Sequence, residues 1–72
     1  MAQMFKIKYI RTGSGENKKI GEVTICTCDE KKNGEKANNI MGVIELFEEI
    51  MEDAGTYENK NAIVKMELIR EW

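Results

Sequence analysis

Cys26 and Cys28, two residues apart in a chain of 72, are the side chains best suited to redox or metal chemistry. In a reducing cytosol they are expected as free thiols. On a strand the side chains of residues i and i+2 point the same way rather than at each other, so a bridge between them is expected to have poor geometry. A structural zinc site takes about four ligands. The sequence has no histidine, so one chain offers Cys-x-Cys and carboxylates. A four-cysteine site shared by two chains is the remaining arrangement, and the ligand count weighs against it. The reading is therefore no metal and no cofactor.

Catalytic chemistry is equally thin. Ser14 is the one serine and has no histidine to activate it. Thr12-Gly13-Ser14-Gly15 has the glycines of a phosphate loop but lacks the Gly-Lys-Ser/Thr ending, and no helix follows to supply an N-terminus. Glu45, Glu48, Glu49, Glu52 and Asp53 are close in sequence, but acid/base work by paired carboxylates needs a cleft that separates their pKa values. A small sheet under one helix has little room for a cleft. No residue is assigned a catalytic role and no enzymatic role is expected.

Lys6, Lys8 and Lys65 alternate with apolar residues and make a basic stripe on one face of the expected strands, the arrangement of a nucleic-acid-binding module. Sheets that bind single strands normally also offer stacking aromatics on that face. Here Phe5 and Tyr9 share the opposite phase, which leaves Tyr57 and Trp72. Cross-strand pairing of the lysines with Glu22 and Glu67 is the preferred explanation. The net charge of −2 hides an asymmetry: Lys6, Lys8, Arg11, Lys18 and Lys19 against Glu16 and Glu22 leave +3 in residues 1–28, and the remainder carries −5.

The elements that must position these groups follow from periodicity. Residues 4–11 alternate Phe5, Ile7 and Tyr9 with Lys6 and Lys8, the period of a half-buried strand. Thr12–Lys18 reads as a hairpin loop. A second strand, rich in β-branched residues, is expected over 19–28. Asp29–Glu35 is a polar connector with an Asn33-Gly34 turn. A helix is expected over 36–54, capped by Asn38 or Asn39 or starting a turn earlier near Glu35, with Gly55 at its C-terminal end. Val64, Met66 and Leu68 alternate with Lys65 and Glu67 in a third strand over 62–71.

The pattern predicts one small α+β domain over 1–72, a two-layer ββαβ unit. Its three-stranded antiparallel sheet is expected in the order 2-1-3, packed against one helix. The helix is expected to cover Phe5, Ile7, Tyr9, Val23, Ile25, Val64, Met66 and Leu68. Lys6, Lys8, Ile10, Glu22, Thr24, Cys26, Lys65, Glu67 and Ile69 are expected on the open face.

The helix has more apolar arc than one sheet needs. Ala37, Ile40, Met41, Ile44, Phe47, Met51 and Ala54 form one stripe, and Val43, Leu46 and Ile50 a second beside it. Together they span roughly 220°, against the ~100° or somewhat more that a surface helix needs. The second stripe is expected to be surface that a monomer cannot hide. It is assigned to a partner protein or to a homodimer in which Gly42 lets two helices approach. Glu45, Glu49 and Asp53 beside it form an acidic ridge suited to a basic partner. Trp72 is either an interface anchor or a cover for the helix end.

The expected function is stoichiometric protein–protein contact through the acidic and apolar helix and the sheet edges. The alternative is nucleic-acid binding through Lys6, Lys8 and Lys65. No run of 18 apolar residues and no leader-like N-terminus is visible, so a cytoplasmic location is expected. In size and in its Lys-, Glu-, Asn- and Ile-rich composition the chain resembles small bacterial or phage proteins, and by analogy with them an inhibitor or adaptor of a larger host complex is expected.

Overall fold

In a computed structural model of the chain the described residues are 1–13, 18–53 and 60–72. Ser14, Gly55 and Tyr57, and most of the expected hairpin loop, lie outside them. The elements run β1 (Gln3–Thr12), β2 (Lys18–Cys26), α1 (Ile40–Asp53) and β3 (Lys60–Glu71). The strands form one antiparallel sheet in the order β2-β1-β3, as a right-handed crossover and the prevalence of antiparallel pairs predict.

The β1–β2 ladder is regular, with Phe5 opposite Ile25 and Ile7 opposite Val23. Directly opposed residues share a face, so the apolar phases of the two strands coincide. The β1–β3 ladder is not regular. Phe5 pairs with Leu68 and Met4 with Arg70, while Tyr9 pairs with Ile63 and Lys8 with Lys65. Ile69 and Val64 are thus extra residues, each a bulge. Ile63 rather than Val64 therefore stands opposite Tyr9, a correction to the expected face assignment.

β2 ends at Cys26, two residues earlier than expected, because Thr27 and Cys28 enter a turn. Asp29 closes it: its Oδ2 accepts the Cys26 N–H at 2.8 Å, and its own N–H donates to the Cys26 carbonyl at 3.0 Å. The connector is more ordered than a polar linker. Glu30 and Lys36 bridge as antiparallel partners around a turn in which the Gly34 N–H donates to the Lys31 carbonyl. Gly34 sits at φ 84°, the left-handed conformation that glycine adopts without steric cost.

The helix starts at Ile40 rather than near 36. The N–H groups of Ala37 and Asn38 donate to the carbonyls of Asp29 and Thr27, which holds this segment across the end of β2. Asn38 turns the chain at φ 68°, and Asn39 caps the helix, its Oδ1 accepting the Gly42 N–H at 2.8 Å. Gly42 lies against the Ala37 backbone so closely that a Cβ would overlap the Ala37 carbonyl oxygen.

The core joins Phe5 and Ile7 of β1, Ile25 of β2, Ala37 of the connector, and Val43, Leu46, Phe47 and Met51 of α1. Ile7, Ile25 and Val43 are fully buried, each worth about 1.5–3 kcal/mol. The Tyr9 and Phe47 rings meet edge to face at 5.4 Å. Met66 is the one described residue of β3 that packs against this core.

Two substitutions test this N-terminal junction. Asn39→Ala should cost about 1 kcal/mol by removing the cap. Gly42→Ala, which in an exposed helix gains up to about 1 kcal/mol, should here lose about 1–3 kcal/mol because the methyl group collides with the Ala37 carbonyl. Thermal or urea denaturation reads both, and a stabilised Gly42→Ala protein would refute the packing.

Candidate protein-binding surface

β3 combines strand-forming Ile, Val and Leu with Lys and Glu and carries twelve residues. One edge pairs with β1; among the described residues no strand pairs with the other. Ile63, Val64, Leu68 and Ile69 are all exposed, Val64 at 55% and Leu68 at 47%. The expected burial of Val64 and Leu68 beneath the helix is thus corrected. The molecule exposes 5075 Å², about a tenth more than the roughly 4,600 Å² typical of a compact monomer of this mass.

The chain's last pairing lies beyond β3, where Ala2 and Trp72 exchange backbone hydrogen bonds. The Arg70 guanidinium sits 4.7 Å from the Trp72 ring centroid, a cation–π contact. Trp72 stays half exposed and borders a shallow cavity of about 350 Å³ with Thr27, Cys28, Lys36 and Asn38. It lies beside the connector that precedes α1.

The second helix stripe is not free surface. Val43 and Leu46 are buried and Ile50 packs partly buried against the same core. The sheet faces the middle of the broad apolar arc, so both stripes contribute to the core. Among the described residues the margin left outside is Ile40 and Met41. Gly42 serves a contact within the chain rather than a helix–helix approach.

The acidic ridge is partly internal too. Glu45 Oε2 receives Lys31 Nζ at 3.2 Å, and Glu49 Oε1 accepts the Lys32 N–H at 2.8 Å. These bonds hold the connector hairpin against α1, and an open groove of about 440 Å³ runs between them past Asp29, Leu46 and Ile50. Asp53 ends the helix, and its side chain lies outside the described residues. Leu46→Lys with Ile50→Lys should therefore unfold the protein, seen as loss of the circular dichroism signal. A folded double variant would return this stripe to the surface.

Lys6, Lys8 and Lys65 do share the open face, as expected, but acids interrupt them. Lys6 stands opposite Glu67 on β3 and 3.8 Å from Glu22, while Lys65 lies 3.6 Å from Glu67. Lys8 is opposite Glu22 on one side and Lys65 on the other. Both ion pairs are well exposed, and such pairs contribute no more than about 1 kcal/mol. Phe5 and Tyr9 are on the helix side, so among the described residues no aromatic ring stands between the lysines.

The cysteines overturn an expectation. Cys26 and Cys28 form a disulfide. Two residues at i and i+2 of one strand would point the same way. Cys28 instead lies in the turn, with its N–H 3.1 Å from the Cys26 sulfur. Thiol titration should find no reactive thiol before reduction and two after it. A loop this short constrains the unfolded chain little, so reduction should lower stability by about 1–2 kcal/mol and leave the fold intact. Two free thiols in air-exposed native protein would contradict the bridge.

Among the described residues no group of three His, Cys, Asp or Glu side chains could hold a metal ion, and no helix is long and apolar enough to cross a membrane. No protein-family model, curated protein or solved structure matches the chain.

Proposed function

We propose that the protein is a non-enzymatic binding module that acts by stoichiometric contact with a protein strand, received on the free edge of β3. The observation that carries this reading is the uncovered β3 with its four exposed apolar side chains. A free edge presents backbone N–H and C=O groups that another strand can satisfy, and flanking side chains select the strand. Ile63, Val64, Leu68 and Ile69 supply apolar area, and Lys65 and Glu67 supply charge selection. Trp72 extends the surface at the strand's end, where aromatic residues often anchor interfaces.

An inhibitor or adaptor works in this way, by occupying or bridging a surface of a larger protein. The lysine stripe supports nucleic-acid binding less well, because Glu22 and Glu67 interleave with it and, among the described residues, no stacking ring stands between the lysines.

The test compares the wild-type chain with a Val64→Lys/Ile69→Lys variant as bait, against nuclease-treated lysate of the producing cell and an untagged copy of the chain. Both substituted positions are exposed, so circular dichroism should show the variant folded. Wild-type bait should retain a protein in fixed ratio and the variant should lose it. Equal retention by both would overturn the strand-edge reading. Tight, steeply salt-dependent binding of DNA or RNA would favour the lysine face instead.

A further inference from the structure

The occupant of this edge is inferred from the charge and apolar pattern along β3. We propose that β3 pairs with β3 of a second copy of the chain, antiparallel about a two-fold axis through Met66. The inference rests on the strand-edge reading above and names its occupant.

Symmetry limits the registers. Two antiparallel edge strands related by a two-fold must have that axis perpendicular to the sheet, so each residue keeps its face. Opposed residues must then share a face. Against β1, Met66 stands opposite Ile7 on the helix side, while Lys65 and Glu67 stand opposite Lys8 and Lys6 on the open side. Registers that oppose Met66 to Lys65 or to Glu67 are therefore excluded.

Three central registers remain. An axis through Lys65 sets Lys65 against its own copy and Ile63 against Glu67. An axis through Glu67 sets Glu67 against its own copy and Lys65 against Ile69. Like charges directly opposed are destabilising. An axis through Met66 sets Lys65 against the partner's Glu67 and Glu67 against the partner's Lys65. It also sets Val64 against the partner's Leu68 and Ile63 against the partner's Ile69. The four large exposed apolar residues of each strand are then matched with the four of the other. The bulge residues Val64 and Ile69 both find apolar partners in this register alone among the three.

The same axis places both helices on one side of a continuous six-stranded sheet. The paired β3 strands then lie in the middle of it. The strand that α1 leaves uncovered in one copy becomes a central strand of the dimer, its edge removed.

Charge reversal tests the register. Lys65 and Glu67 side chains are exposed at 66% and 51%, so the fold should tolerate Lys65→Glu, Glu67→Lys and the double variant, as circular dichroism checks. Sedimentation and light scattering across a dilution series give the dimer Kd. Each single change turns two attractive cross-strand pairs into repulsive ones and should raise Kd about tenfold or more. The double variant restores opposite charges in both pairs and should bring Kd back toward the wild-type value. A wild-type chain that stays monomeric at its highest soluble concentration overturns the dimer. If a lysate protein is still lost on Val64→Lys/Ile69→Lys, the strand-edge reading then survives with a different occupant. A dimer indifferent to the single changes, or one that the double change does not restore, overturns the Met66 register.

Discussion

One helix has to serve three strands, and it is too small to do so. Fourteen residues of α1 make a rod about 21 Å long and 10–12 Å across. The twelve residues of β3 run about 40 Å, and three strands are spaced about 4.8 Å apart. The helix packs where the apolar phases of β1 and β2 coincide, over Phe5, Ile7 and Ile25. β3 gives that core only Met66 among its described residues. Its uncovered apolar side chains follow from this geometry.

The connector keeps the helix in that position. Ala37 and Asn38 are bonded to Asp29 and Thr27, and Gly42 rests on the Ala37 backbone. Farther along, Lys31 and Lys32 are tied to Glu45 and Glu49. Acids toward the C-terminal half of a helix oppose its dipole at a cost of a few tenths of a kcal/mol each. Glu45 and Glu49 stand before the last turn of α1, where that cost fades, and they hold the hairpin. Their position is thus explained within the chain, and the disulfide at Cys26 and Cys28 lies where β2 passes into the same connector.

Both bulges of β3 lie in its pairing with β1, whereas the β1–β2 ladder has none. Each shifts the phase of the strand by one residue, so that twelve residues do not simply alternate between two faces. Val64 and Ile69 are the residues displaced, and both are exposed. A strict period of two assigned Val64 to the covered face and Ile69 to the open one.

Local pattern was enough for much of this protein. The period-two runs and the 3.6-residue run were legible along the chain, and with them the ββαβ order, because side-chain direction in a strand or helix is set by backbone geometry within a few residues; the antiparallel 2-1-3 sheet followed from the handedness of the crossover and the prevalence of antiparallel pairs. A cap at Asn38 or Asn39 and a turn at Asn33-Gly34 were legible for the same reason, and the structure decided for Asn39. What depends on distant contacts was not. Whether the sheet would meet one edge or the middle of the helix's apolar arc depended on the connector hairpin, and only that packing put Val43 and Leu46 in the core and Ile40 and Met41 outside. The bulges arise from fitting β3 to β1, and the Cys26–Cys28 bridge from the turn that Asp29 closes. The uncovered face of β3 was decided by how far one short helix reaches, a length that only means something once the strands stand side by side.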